Sequence, residues 1–494
     1  MSAPELERLA LRCLFPGFPG LEPPDWIRRR LGEGLGGVVL YAWNVEGAEQ
    51  VARLTRMLRE ERANVLAAID EEGGDVTRLE ATNGSSYPGN AALGVVDDVD
   101  LTQRVATAMG RDLAEVGIGL DLAPVADVNS NVANPIIGIR SFGAEAELVG
   151  RHVAAFVRGL QASGVAACAK HFPGHGDADA DSHLELPTIH ADREMLLARE
   201  LVPFRAAIDA GARSIMTAHI AVPALDDVPA TTSRAILHGL LREELGFEGV
   251  VMTDALEMRA ISATIGVEEG AVRAIAAGAD ALCLGHDLGD DAVDKIVAAL
   301  VEAVRARRLD EARLAEGAAR IEALASWVEA RDEPATPADR GAGIEAARRA
   351  LHAEGEVVLD GPALVVELQP EPTIAAGVLR RSPGDWLADV LPVARLVRVD
   401  EWPSGLDVDS GSRLVVITRD AHRHEWQREA AQALVADRRD AIVLDVGLPR
   451  WRPEGFGGYV ATYGAARVNV EAAAERLYSG SRRGVEQSGS SPGS

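Results

Sequence analysis

Fifteen consecutive residues, AKHFPGHGDADADSH (169–183), hold three histidines and three aspartates. These side chains move protons, ligate metals or attack electrophiles, and their spacing separates the options. Asp177, Asp179 and Asp181 imitate the opening of a calcium loop, but position six is Ser182 rather than Gly and position twelve is Thr188 rather than Glu, which argues against calcium. His171, His175 and His183 with the aspartates could instead ligate a transition metal. However, Pro173, Gly174 and Gly176 preclude a helix between them, and no HxH strand spacing occurs. Asp181 and His183 are two apart, so an extended segment puts both on one face. The carboxylate can then fix one ring nitrogen and leave the other for proton transfer, a general acid/base dyad. Together with a separate carboxylate at a strand end, such a dyad meets the needs of retaining glycosyl transfer, a histidine replacing one of the usual two carboxylates.

Eight short apolar runs could carry such residues: 9–15, 37–42, 64–70, 119–125, 165–172, 213–219, 249–254 and 280–285. Amphipathic segments lie between them, including 48–63, 101–117 and 146–164, and two more follow at 290–308 and 309–330. Alternation of this kind implies parallel strands covered by helices, and eight units imply an α/β fold of the (β/α)8 TIM-like barrel type over residues 1–330. Residues 331–343, RDEPATPADRGAG, read as a linker. A helix at 344–353 and apolar runs at 362–369, 413–420, 440–447 and 457–464, interleaved with helical spacing at 425–438 and 469–480, imply a smaller three-layer α/β domain over 344–480. The Gly/Ser-rich end, 481–494, reads as a disordered tail.

Barrels of this type place their working residues at the C-terminal ends of strands. Asp70, Asp127, Lys170, His171, His219 and Asp254 all end predicted strands here. Any single aspartate so placed could simply cap the next helix, and Asp254, just before ALEMRAISA, is open to that reading. Several converging on one rim need ligand or partners, because an unpaired buried charge is costly. Lys170 stands out further, since the chain has only one other lysine, Lys295, among 50 basic residues.

Bulk properties narrow the partners. The formal charge of −26 and the absence of any Lys/Arg-rich run disfavour nucleic acid and anionic membrane surfaces. The N-terminal stretch lacks a signal-peptide pattern and no 18-residue apolar run follows, so a cytoplasmic protein is expected. Cys13, Cys168 and Cys283 each sit inside an apolar run and read as core thiols. No cofactor and no metal is expected.

With these residues in view, KHFPGHGDADADSH followed by LELP, together with AIDEEGGDVTRL, IGIRSFG and GFEGVVMTDALEM, resembles the β-N-acetylglucosaminidases of glycoside hydrolase family 3 over about residues 9–330. The resemblance implies a retaining mechanism with Asp254 as nucleophile, His183 as acid/base and Asp181 as its orienter. It further implies that Asp70, Arg140, Lys170 and His171 hold the sugar, that His219 assists them, and that Asp127 or Asn129 supports the floor. A compact ammonium at Lys170 suits hydroxyl recognition better than a planar guanidinium. Trp43 stands where relatives commonly carry a basic residue, and either stacks on a sugar ring or packs on a neighbouring helix. The expected partner is a small N-acetylglucosaminide from cell-wall fragments or chitin-derived saccharides, handled by a monomer or homodimer. Phosphate in place of water as acceptor would make the protein a phosphorylase, and a metal-dependent barrel hydrolase is the rival of another class.

Overall fold

The computed structural model describes residues 2–182, 184–330, 339–373, 375–377, 380–401, 408 and 411–478. His183, most of the expected linker (331–338) and the expected tail (481–494) lie outside the described residues.

Each of the eight apolar runs contains a strand: β1 (Leu14–Pro16), β2 (Gly37–Leu40), β3 (Leu66–Ile69), β4 (Leu120–Asp121), β5 (Ala166–Phe172), β6 (Ser214–Thr217), β7 (Val250–Thr253) and β8 (Leu282–Leu284). Strands β2 to β7 pair in chain order as a curled, all-parallel sheet. β1 pairs with β8, and a bridge between Met252 and Ala281 ties β8 to β7. Helices such as Ala48–Glu61, Val99–Glu115 and Ala146–Ala162 fill the crossovers and cover the outer face. Strands buried on both faces read as continuous apolar runs rather than as alternation, which is why these segments were visible in the sequence. Leu14, Val38, Ile69, Leu120, Ile215, Val250 and Leu282 share one apolar cluster at the centre.

The first run departs from expectation, because its residues 9–12 belong to the helix Ala3–Arg12. Ser2 and Glu5 form a capping box at its start, and Leu6, Ala10 and Leu11 turn inward, so helical spacing wins until Cys13 ends it.

The second half forms another six-stranded sheet in the order β11, β10, β12, β13, β14, β9. Here β9 is His352–Gly355, β10 Ala363–Leu368, β11 Val393–Val399, β12 Arg413–Thr418, β13 Ile442–Asp445 and β14 Gly458–Ala461. Separate apolar clusters line its two faces. β9 and β11 are edge strands with half-exposed, mixed sequences, HAEG and VARLVRV, and the apolar-run reading did not find them. The helix expected at 344–353 runs from Ala342 to Ala350 and yields to β9, the sheet's antiparallel member.

The two halves are joined by specific bonds. Asp75 accepts the Arg419 guanidinium and the Ala465 amide (3.2 Å), Arg467 reaches Ser86 Oγ at 2.7 Å, and Arg78 holds the carbonyls of Ala375 (2.8 Å) and Ala376 (3.2 Å). No helix among the described residues is long and apolar enough to cross a membrane.

Candidate functional site

The C-terminal ends of the first sheet's strands surround a cavity of about 590 Å³. Its wall includes Asp70 after β3, Arg140, Lys170 and His171 of β5, and Asp254 after β7. Consecutive residues of a regular strand face opposite ways. Between Ala169 and Phe172 the pairing of β5 with β6 slips in register, and Lys170 and His171 both line the cavity.

Four charged groups interlock on one side. Lys170 Nζ lies 2.6 Å from Asp70 Oδ1 and 2.8 Å from Glu72 Oε1, and Glu72 in turn accepts a two-pronged bond from Arg140 at 2.7 and 2.9 Å. Burial alone would raise the Glu72 carboxyl, but Arg140 and Lys170 overcome it and hold the group well below the usual carboxylate range. In turn burial is outweighed at Lys170 by Asp70 and Glu72 and at Arg140 chiefly by Glu72, so both charged forms are held more firmly than in water. Two cations thus face two carboxylates, an arrangement suited to a neutral ligand rich in hydroxyls, which need both donors and acceptors.

Asp127 organises the neighbouring turn without exposing itself. One oxygen accepts the His175 amide at 2.7 Å and the His171 amide at 3.2 Å, and the other accepts His171 Nδ1 at 2.7 Å. The bond leaves Nε2 of a neutral His171 as an acceptor. Gly176 is required by close approach, since a Cβ there would lie 1.8 Å from the Val128 carbonyl oxygen. His175 is buried, with Nε2 3.1 Å from Ser182 Oγ, and burial pushes its ring down to about 4.

Asp254 lines the same cavity. Its Oδ1 accepts the Ala255 amide at 2.8 Å and its own amide donates to the Thr217 carbonyl at 3.2 Å. Glu257 lines the same wall, accepting the Gly285 amide at 2.8 Å, and burial raises its carboxyl. Trp43 packs on rings, 4.8 Å from Tyr41 and 3.8 Å from His286 between centroids, and all three line the cavity.

The structure therefore gathers Asp70, Arg140, Lys170, His171 and Asp254, and brings in Ser182 from the loop that carries Asp181. One expectation is corrected. His219 does not line the cavity: it is fully buried, Nδ1 lies 2.8 Å from Thr231 Oγ1, and Nε2 lies 3.0 Å from the carbonyl of Ala255, next to Asp254. Its place at a strand end suggested a ligand contact, but its hydrogen bonds are committed to the protein. Cys283 is buried as expected, though it also touches the cavity.

Sequence reasoning missed Glu72, Glu257, Tyr41 and His286, and it missed the contribution of the second half, whose Ala375, Gly377 and Arg380 close part of the wall. The acidic doublet in AIDEEGG carried a signal for Glu72. A loop lying some 300 residues further along the chain carried none. Among the described residues, no group of three or more His, Cys, Asp and Glu converges as metal ligands would.

Residues 27–324 match the family model described as the glycosyl hydrolase family 3 N-terminal domain. The beta-hexosaminidase A of Pseudoalteromonas piscicida is 35% identical over 329 residues, 61% of this chain and 55% of that protein. The beta-hexosaminidase of Bordetella avium (strain 197N) is 34% identical over 284 residues, 56% of this chain and 81% of that protein. Against the solved structure of a glycoside hydrolase family 3 beta-N-acetylglucosaminidase from Paenibacillus sp. str. FPU-7, the chain is 34% identical with a TM-score of 0.86, over 96% of each. The chain spans just over half the length of the first of these curated relatives, and its matched segment covers most of its own first half and beyond. With Asp254 and the Lys170 cluster set around one cavity inside that segment, the chain belongs to glycosyl hydrolase family 3.

Proposed function

We propose that the protein is a retaining β-N-acetylglucosaminidase that removes terminal β-linked N-acetylglucosamine from cell-wall fragments or chitin-derived saccharides. The observation that carries this reading is the sharing of one cavity by the Asp254 carboxylate and the hydroxyl-binding cluster of Asp70, Lys170, Glu72 and Arg140. His171 adds a further contact to the sugar.

In this reading the cluster fixes the ring so that its anomeric carbon faces Asp254. Asp254 attacks, the glycosidic bond breaks, and His183, oriented by Asp181, gives its proton to the departing oxygen. The now neutral His183 takes a proton from water, which displaces Asp254 and restores both groups. His219 acts indirectly, holding the Ala255 carbonyl and with it the backbone that presents Asp254.

The architecture completes this reading as a closed (β/α)8 barrel over residues 1–330. The amide of Gly36 donates to the Leu11 carbonyl at 3.3 Å, supporting β1 beside β2. Residues 331–343 act as linker and 344–480 as a smaller three-layer α/β domain. Cytoplasmic residence, expected from the sequence pattern, and a part in cell-wall recycling, implied by the family resemblance, belong to the same proposal.

The deciding experiment incubates the protein with a β-linked N-acetylglucosamine disaccharide, with and without phosphate. Free N-acetylglucosamine in both arms, unaffected by chelator, supports the glycosidase. The 1-phosphate sugar in the second arm makes phosphate the acceptor and the protein a phosphorylase. Loss of activity to chelator would overturn both in favour of a metal-dependent hydrolase.

A further inference from the structure

The loop between β5 and the next helix is held unevenly. Its first part is bonded to the segment after β4 at several points: the His175 amide to Asp127, the His175 and Gly176 carbonyls to Asn134 Nδ2 (2.9 and 3.1 Å), and the Ala178 carbonyl to Asn131 Nδ2 (3.1 Å). The Arg199 guanidinium adds a bond to Asp177 at 2.6 Å. Beyond Ala178 the loop is more exposed. Among the described residues of 179–186, Ser182 alone is buried, while its neighbours are exposed or half-exposed. The carbonyl of Asp181 is used inside the turn itself, by the amides of Leu184 and Glu185. A side-chain bond ties this part of the loop inward, Ser182 Oγ to His175 Nε2 at 3.1 Å, between two buried groups that both line the cavity.

We propose that His175 is a positioning residue, whose ring grips Ser182 and thereby sets the register of Asp181 over the cavity. The inference rests on the reading of Asp181 as the orienter of the proton-transferring histidine. A serine hydroxyl is short, so its bond to a ring that is itself fixed at the backbone allows little play in the next residue along. The backbone at His175 is fixed because its amide goes to Asp127, the same carboxylate that holds His171. One buried carboxylate thereby sets both the sugar-holding ring and the ring that anchors the loop. Burial favours the neutral form of His175, so the grip stays unchanged across the neutral pH range. A hydrogen bond of this kind adds little to stability, but misplacing a proton donor affects the rate strongly when the leaving group needs the proton.

The test compares Ser182→Ala, Ser182→Thr, His175→Gln and His175→Leu on two substrates: a β-linked N-acetylglucosamine disaccharide, whose leaving group needs protonation, and an activated nitrophenyl N-acetylglucosaminide, whose leaving group does not. Ser182→Ala is expected to lower kcat on the disaccharide about tenfold and to leave the aryl substrate within about twofold, with little change in KM. Ser182→Thr and His175→Gln, which keep a bonding group near the same place, should recover most of the loss, and His175→Leu should not. In an Asp181→Asn background, Ser182→Ala should add nothing further. Equal losses on both substrates, or full additivity with Asp181→Asn, would overturn the proposal by making the bond merely structural. If Asp181→Asn itself shows no selective loss on the disaccharide, the dyad reading fails first and the inference goes with it. Ser182→Ala removes only a hydroxyl, so the comparison survives even if the histidine variants fold poorly.

Discussion

Two buried charge centres occupy different parts of the first half and are built as opposites. At one, a single cation, Lys170, sits between Asp70 and Glu72, with Arg140 behind. At the other, a single fully buried acid, Asp280, receives Arg242 at 2.5 Å, Arg320 at 3.1 Å and Arg313, as well as the Val251 amide at 2.9 Å. Other donors of those arginines go to main-chain carbonyls, Arg242 to Phe247 and Gly249 and Arg313 to Ile275 and Ala279, while Arg313 also bonds Glu316 at 3.0 Å. Burial, joined by repulsion from Arg320 and Arg313, pushes Arg242 down to about 10 despite the pull of Asp280. The Asp280 centre ties strand ends and helices together around an acid enclosed by protein, and its arginines also border a second cavity. The Lys170 centre keeps one face on a cavity. Burial of charge therefore does not by itself define purpose: at one centre the acid is enclosed by its arginines, at the other the carboxylates of Asp70 and Glu72 line a cavity themselves.

Mutations can break this contrast in a graded way. The largest effect belongs to neither centre: Asp254→Ala should lower turnover by about 10⁴-fold or more on every leaving group, without moving Tm, as read by steady-state kinetics and thermal melts. Next, Asp280→Ala leaves three arginines without their acid and should cost about 3–5 kcal/mol of stability in denaturant titration. The molecules that remain folded should keep their specific activity, and a selective loss of activity with normal stability would refute the division. Lys170→Met should do the reverse, with kcat/KM down by about 10²-fold and a smaller change in the melt, because Glu72 retains Arg140.

The smallest effect concerns a third arrangement, a buried acid with no cation bonded to it among the described residues. Asp445, at the end of β13, accepts the Tyr459 hydroxyl at 2.9 Å and the Gly447 amide at 3.0 Å, and burial pushes its carboxyl up to about 7. The folded state then binds a proton that the unfolded state has already released. Stability attributable to this group therefore falls as pH rises, by about 2 kcal/mol between pH 5 and 7. Asp445→Asn should remove that slope from urea titrations across the range, and an unchanged slope would assign it to Glu71 or Glu200, which burial also raises to about 7.

The sequence made the inner strands of the first half plain, because strands covered on both faces leave uninterrupted apolar runs such as VAACAKHF. Edge strands β9 and β11 were lost for the converse reason: half in water, their composition carries no apolar run. Asp70, Lys170, His171 and Asp254 were legible as polar endings on apolar runs, a break that burial alone does not explain. The same signal misplaced His219, because a strand end shows that a polar group has a partner and not whether that partner is ligand or protein. Glu72 hid two residues beyond the expected Asp70, and Arg380 depends on contacts between distant parts of the chain that no local pattern encodes.

Arg78 grips the second half by the main-chain oxygens of Ala375 and Ala376 and asks nothing of their side chains. Such a grip is blind to spelling. Substitutions along that part of the loop can therefore accumulate without loosening the wall they form, because this one contact rests on an arginine of the first half, unlike the Asp75–Arg419 pair, whose two side chains must drift together.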